Sequence, residues 1–530
     1  MNFDTLLAQH ARQAPERTAF QDQDHAITYA ALAAEVDRLA AVMHAAGARR
    51  GERLALWMPN CIEWLVTFLA CAKLGITVVA VNTRFKEHEV SQLVQRGRCT
   101  WLAMWPAFKG LPFVEILSRV DPVALGGLRG VVGVGDCAQV QSVLPAAQLL
   151  PFTVIPTQPL PATVDLGQEE DGALVYTTSG TTSAPKLVLH RQAGLIAHGV
   201  LAAAAYGVSA ASVVLLAAPM CGAFGFSTAI TGLAVGASLV SLPVFDAART
   251  VHQIRAHGVT HTFANNELLD LLLRMVPGET HPFPSLQYVG FASFAPSLDD
   301  LPERALQAHI PIAGLYGSSE LQALVAGHTL TAPWQHRRMA GGSVIAPDGR
   351  VRAIDADTGA VLEDGQVGHI EIKAPSIMAE YLENPEAMRQ AFTADGYFRT
   401  GDFGYTVGPR MFVYQGRSGD HLRLGGFLVS PREIESFIEG VDGVRSAQVI
   451  SSQTNGKLVP VAFVIRSENS AVDEAAIIQA CTQGMAKFKV PERVVFVDAF
   501  PYVQSANSNK IQRHVLEKMA QDLLKVSEVS

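Results

Sequence analysis

Five stretches of this chain carry residue types that could do chemistry. The first runs from Thr177 to Lys186 and reads Thr-Thr-Ser-Gly-Thr-Thr-Ser-Ala-Pro-Lys. Hydroxyls, backbone N–H groups and one ammonium are the ligands that a polyphosphate takes. Thr177, Thr178, Ser179, Gly180, Thr181, Thr182 and Lys186 are therefore candidate phosphate contacts, with Gly180 allowing a sharp turn and close approach to a ligand. The G-x-x-x-x-G-K-[ST] spacing is absent, which excludes a Walker A loop. The second stretch, Gly314-Leu315-Tyr316-Gly317-Ser318-Ser319-Glu320, ends in a carboxylate beside small hydroxyl residues. That suits a Mg²⁺ that keeps waters and takes substrate phosphates. The third, Phe398-Arg399-Thr400-Gly401-Asp402, sets one carboxylate in a tight polar turn, where it could accept both hydroxyls of a ribose. The fourth, Gly416-Arg417 with Asp420 and Gly425-Gly426, offers an Arg for bidentate phosphate contacts. The fifth puts Lys510 in a polar loop, Asn507-Ser508-Asn509-Lys510-Ile511-Gln512-Arg513. Taken singly, each also reads as ordinary turn or surface chemistry.

The elements that must hold these stretches follow a strand–helix–strand rhythm. Arg53–Trp57 and residues 76–81 read as strands around an apolar helix over 62–74, and Ala173–Tyr176 is a short buried strand leading into the hydroxyl-rich loop. Such alternation implies α/β architecture with doubly wound, mainly parallel sheets. Further strands are expected near 100–104, 130–134, 213–217, 286–291 and 310–316, with helices over 29–46 and 193–206. Residues 146–168, rich in Pro, Gln and Thr, read as a connecting loop, and 344–374 as a small β subdomain with hairpin turns. A boundary falls near 416–420; beyond it a hairpin, a helix and a strand make a compact α+β domain.

A chain of 530 residues is too long for one ordinary core, so two or more domains are expected. A net charge of −8 argues against a general nucleic-acid surface and leaves anionic ligands to local basic sites. Cys61, Cys71, Cys99, Cys137, Cys221 and Cys481 are scattered without a CxxC pair, and the N-terminus lacks a signal-peptide core. Both features predict a cytoplasmic protein with reduced thiols. From Gln192 to Phe245 there is no Asp, Glu, Lys or Arg, but Pro219, Gly222, Gly225, Gly232, Gly236 and Pro243 interrupt the run. These breakers fit buried α/β core rather than stable membrane insertion.

Together and in order, the five stretches resemble the adenylate-forming superfamily of acyl-CoA synthetases, amino-acid adenylation domains and luciferases. The loop 177–186 is similar to its T-S-G-T-T-G-x-P-K signature, residues 316–320 to its Y-G-x-T-E, and Arg399-Thr400-Gly401-Asp402 matches its R-T-G-D. Gly416-Arg417-x-x-Asp420 with Gly425-Gly426 resembles its hinge and following strand, and Lys510 its C-terminal catalytic lysine. The resemblance spans nearly the whole chain. It implies an AMP-binding domain over 1–415, a hinge at 416–420 and a small mobile domain over 421–530. It also implies an acid–CoA ligase using ATP, Mg²⁺ and CoA, in which a carboxylate attacks the α-phosphate and a thiol then displaces AMP. Lys510 would sit between carboxylate and α-phosphate, Ser319 would touch the α-phosphate, and Glu320 would hold Mg²⁺. Tyr316, beside Gly317, would pack on adenine, Asp402 would bind ribose with Arg417 nearby, and the loop would hold the β- and γ-phosphates. Rotation about Gly419 would bring Gly425 and Gly426 beside a pantetheine tunnel.

The departures bear on substrate and partners. Ser183, Leu187 and Gly419 stand at positions where the family pattern differs, and the tail loop 501–510 is longer than usual. Phe224-Gly225-Phe226-Ser227 lacks the acidic residue that anchors an α-amino group, so an apolar acid (aryl, alicyclic or medium-chain) is expected. Gly222 replaces the usual gate, and Phe224, Phe291, Ala292 and Leu315 are the other candidate pocket residues, though Phe224 and Phe291 also read as plain core aromatics. Two other readings stay open: a stand-alone enzyme loading an acyl carrier protein, and a degenerate nucleotide-binding protein. A homodimer is a further partner consistent with the sequence.

Overall fold

The computed structural model describes residues 1–528 except 24, 157, 179–185, 294–297, 299, 418–421, 425–426, 430, 455–456, 486 and 505–508. The chain forms two compact units, the first comprising residues 1–294, 300–351 and 372–398, the second 295–299, 352–371 and 399–530.

In the first unit one sheet runs Glu380–Tyr381, Leu187–Arg191, Gly172–Thr177, Thr77–Ala80, Arg53–Trp57, Trp101–Met104, Gly130–Gly133 and Gln148–Pro151. From Gly172–Thr177 onward its neighbours pair in parallel. The last strand lies within 146–168, which the sequence presents as loop; Leu149 and Leu150 pair with Val131 and Val132 despite the flanking prolines. A second set of parallel strands runs Ile312–Ser318, Tyr288–Ala292, His261–Asn265, Val213–Leu216, Ser238–Ser241 and Thr18–Asp22. The mainly parallel, doubly wound α/β reading of this domain is what the structure shows.

The charge-free run becomes helix, strand, helix and strand: Gln192–Tyr206, Val213–Leu216, Ala223–Leu233 and Ser238–Ser241. Every residue of Ala223–Leu233 is buried. Its Thr228 and Thr231 hydroxyls donate to the carbonyls of Phe224 and Ser227, at 2.9 and 2.7 Å, so these two buried hydroxyls are satisfied within the helix. The two helices pack closely because Gly199 has no Cβ; one there would lie 2.5 Å from the Ile230 carbonyl oxygen. Among the described residues no helix is long and apolar enough to cross a membrane. All six cysteines are buried and free of disulfides.

In the second unit, Asp402–Thr406 pairs antiparallel with Phe412–Arg417. Further on, Val444–Thr454 and Lys457–Arg466 form the expected hairpin, joined in parallel by Arg493–Phe496. Leu424, Ile434, Ala447, Val464 and Ile477 lie in its core. The tail read as a loop forms a second hairpin, Tyr502–Gln504 against Asn509–Ile511. The helix Arg513–Glu528 follows it. At that junction Arg513 pairs with the buried Glu435. Glu435 Oε1 also accepts from the Val449 N–H at 2.9 Å.

Candidate active site

The hydroxyl-rich loop is the turn of an antiparallel pair. Gly172–Thr177 brings the chain in and Leu187–Arg191 takes it out, with Thr177 opposite Leu187. Thr178 closes the base twice: its N–H donates to the Lys186 carbonyl at 3.0 Å, and its hydroxyl accepts from the Lys186 N–H at 3.2 Å. Ser179, Gly180, Thr181 and Thr182 lie outside the described residues. The strand after the loop is absent from the strands expected above, although Leu-Val-Leu-His-Arg carries the residues for it.

The stretch ending at Glu320 forms the close of another hairpin, Ile312–Ser318 against Gln322–Gly327. Gly317 is obligatory there, since a Cβ would meet the Ala323 backbone at 2.4 Å. Gln322 takes a left-handed backbone at φ 64°, which tightens the reversal. Tyr316 is buried, while Ser319 and Glu320 are half-buried.

Three contacts bind this turn to the loop hairpin and to the segment paired along its edge. His190 Nε2 lies 2.7 Å from the Ser319 carbonyl oxygen; a carbonyl only accepts, so Nε2 carries the proton. Burial pushes the His190 imidazole down to about 4, so it is neutral at pH 7. Met378 N–H donates to the Glu320 carbonyl at 2.7 Å. Tyr381 O–H donates to Glu320 Oε1 at 2.9 Å, and the Lys186 ammonium stands 4.7 Å from the centroid of the same ring. The loop cation and the acidic residue thus meet at Tyr381. Neither Tyr381 nor His190 was among the residues singled out from sequence. A two-residue strand, Glu380–Tyr381, gives no periodic signal, and His190 lies outside every motif that carries obvious chemistry.

The candidate acyl residues divide. Gly222 caps the helix Ala223–Leu233, with Phe224 buried in its first turn. Gly225 has no room for a side chain, because a Cβ would stand 2.1 Å from the Pro219 carbonyl oxygen. Asn60 pins the preceding loop, donating to the Ala218 carbonyl at 3.0 Å and accepting from the Met220 N–H at 2.7 Å. Ser227 couples this helix to the acidic hairpin by accepting from the Ala323 N–H at 3.1 Å. Phe291 is buried and Ala292 half-buried at the end of their strand. Phe291 is in register with Gly314. Side chains alternate faces along a strand, so Leu315 lies on the opposite face from Phe291, on the side that Ala292 takes. There its methyl groups occupy the space left by Gly290 and Gly327, where an added Cβ would stand 2.4 and 2.6 Å from them.

In the second unit the register sets Asp402 opposite Arg417. Arg417 Nε lies 3.4 Å from Asp402 Oδ1, and the Asp402 side chain is buried. The Thr400 hydroxyl donates to the Ile370 carbonyl at 2.6 Å and accepts from the Asp402 N–H at 3.1 Å. Gly401 between them is left-handed at φ 72°. The two polar residues expected to act together are therefore adjacent. Gly419, Gly425 and Gly426 fall outside the described residues; Lys510 is described by its backbone alone, paired with Val503 in the tail hairpin.

As to metal chemistry, among the described residues no group of three or more His, Cys, Asp or Glu side chains is disposed as a cation cage. The donor set is one half-buried carboxylate with an oxygen tied to Tyr381. That chemistry fits Mg²⁺, which binds through one or two carboxylates plus waters and substrate phosphates.

The chain's likeness to known proteins agrees with this geometry. Residues 7–382 match the family model for AMP-binding enzymes, and 433–507 match the AMP-binding enzyme C-terminal domain. The chain is 30% identical to the sulfoacetate–CoA ligase of Cupriavidus necator, over 96% of this chain and 97% of that protein. It is 28% identical to the long-chain-fatty-acid–CoA ligase FadD13 of Mycobacterium tuberculosis, over 94% and 95% respectively. The fold matches that of ATP-bound MatB from Rhodopseudomonas palustris with a TM-score of 0.81, 23% identity, and coverage of 99% of this chain and 100% of that one. With a family model spanning most of its length, the chain belongs to the AMP-binding enzyme family.

Proposed function

We propose that this enzyme joins an apolar carboxylic acid to CoA through an acyl-AMP, consuming ATP and releasing AMP and pyrophosphate. The observation that carries the reading is the meeting of Lys186 and Glu320 on Tyr381. A metal–polyphosphate needs a cation for its oxygens and a carboxylate for its metal, and this arrangement offers both beside a hydroxyl-rich loop. Its relatives named as CoA ligases support CoA as the acceptor.

In the first step a carboxylate oxygen bonds to the α-phosphorus, the bond to the bridging oxygen breaks, and pyrophosphate leaves. Both reactants are anions, so the enzyme's task is neutralisation and alignment. The loop 177–186 takes the β- and γ-phosphates, and Ser319 the α-phosphate. Tyr316, beside Gly317, packs on adenine, and Asp402 accepts from the ribose hydroxyls with Arg417 beside it. Lys510 bridges the attacking carboxylate and the α-phosphate. Glu320 would hold Mg²⁺, which supplies positive charge to the phosphate oxygens when bound. Gly222, Phe224, Phe291, Ala292 and Leu315 form the acyl wall, and none of them carries a charge to pair with an amino group. In the second step the CoA thiol attacks the acyl carbonyl and AMP leaves. The domain beyond residue 420 turns about Gly419 for this step, withdrawing Lys510 and bringing Gly425 and Gly426 to the pantetheine.

Pyrophosphate release, screened over aryl, alicyclic and medium-chain acids with and without CoA, tests this. Release should require the acid and Mg²⁺, and thioester should appear only with CoA. A preference for a phosphopantetheinylated carrier protein over CoA, or ATP binding without turnover on any acid, would overturn it.

A further inference from the structure

Tyr381 lies outside every stretch that the sequence marks for chemistry, yet two of those stretches converge on it. Its ring is buried and its hydroxyl reaches the carboxylate of Glu320 at 2.9 Å. Its ring centroid lies 4.7 Å from the ammonium of Lys186, within the range where an electron-rich face attracts a cation. We infer that Tyr381 is a positioning residue for metal–nucleotide binding, orienting Glu320 through its hydroxyl and Lys186 through its ring. The inference rests on the function proposed above, since it takes Glu320 as the Mg²⁺ ligand.

The backbone around Tyr381 is fastened to both partners. Tyr381 pairs with Val188 on the strand leaving the phosphate loop. The N–H groups of Ala379 and Leu382 donate to the carbonyls of Leu189 and Leu187, each at 2.8 Å, and Met378 N–H donates to the Glu320 carbonyl at 2.7 Å. The phenol is therefore fixed relative to the turn that carries Glu320. Its hydrogen bond occupies Oε1, restricts the carboxylate's rotation and leaves Oε2 as the oxygen for a metal. Outer partners of this kind orient a metal ligand and typically contribute tenfold or more to affinity. A ring present only for packing would serve equally well as phenylalanine.

Binding of the α,β-methylene analogue of ATP, titrated by calorimetry at a series of Mg²⁺ concentrations, tests the inference without turnover. For Tyr381→Phe the half-saturating Mg²⁺ concentration should rise about tenfold. Analogue binding without metal should stay at the wild-type value, because the ring still faces Lys186. Tyr381→Leu should lose metal-free affinity as well. A Tyr381→Phe metal curve that overlays the wild type overturns the inference, as does a lowered melting temperature with an unchanged metal curve, which marks a packing role. Wild-type binding with no Mg²⁺ dependence would instead remove Glu320 as the metal ligand. The inference would then fall together with that part of the proposed function, an outcome distinguishable from failure of Tyr381 alone.

Discussion

His190 illustrates how much of the site depends on groups that touch no substrate in this account. It is buried against the edge of Tyr176, with ring centroids 5.4 Å apart, and it ties the Ser319 carbonyl to the loop hairpin. Nearby, His198 faces the Ser376 hydroxyl at 3.3 Å, and burial pushes its imidazole down to about 3. Both start from an ordinary value of 6.5, so the folded state refuses protons that the unfolded chain accepts. Their contribution is complete above pH 6.5 and is lost as pH falls toward about 4 for His190 and about 3 for His198. Denaturant titrations should show each histidine removing about 2 kcal/mol of stability between pH 6.5 and 5. His190→Gln keeps a neutral donor and should reduce that pH slope by its own share; an unchanged slope would contradict a buried, neutral His190. The acidic and basic candidates were legible as residues because each stands in or at the end of a short stretch of glycine and polar residues. His190 and Tyr381 were not, because their roles come from partners far off in sequence: Ser319 for His190, and Val188 and Glu320 for Tyr381.

At the scale of elements, two hairpins do the positioning, and one glycine controls the second. Gly317→Ala would press a methyl group onto the Ala323 backbone, where the gap is 2.4 Å. The strands must separate, and Ser319 and Glu320 move with them. Misplacement of about an ångström can cost on the order of a hundredfold in rate. Steady-state kinetics should therefore show kcat/KM for ATP falling by about ten- to a hundredfold. Wild-type kinetics would mean that the turn tolerates displacement. The parallel strands were legible in the sequence because β-branched runs alternate with apolar helices. The strand within 146–168 was not, because prolines mask an edge strand that needs only one neighbour. The face that Leu315 takes was hidden for a related reason: motif proximity to Tyr316 says nothing about which sheet face a side chain takes.

Over the whole molecule, the groups assigned to the reaction divide between two compact units. Lys186, Ser319 and Glu320 belong to the first, while Asp402, Arg417 and Lys510 belong to the second. The Arg513–Glu435 pair and the Gln512 N–H, which donates to the Pro501 carbonyl at 2.8 Å, fasten the tail just after Lys510. The apolar run from Gln192 to Phe245 resolves into core because its glycines and prolines permit short elements packed close together. The acid remains the part least written in the sequence, since a pocket of small and aromatic residues carries no charge pattern to name its ligand. The central claim is that Lys510 joins the other cationic groups to let one anion attack another. The most direct test is Lys510→Ala with an acid that supports turnover, comparing acid-dependent pyrophosphate release with thioester formation from preformed acyl-AMP and CoA. Pyrophosphate release should fall by at least about a hundredfold while thioester formation persists; unchanged release would contradict the account.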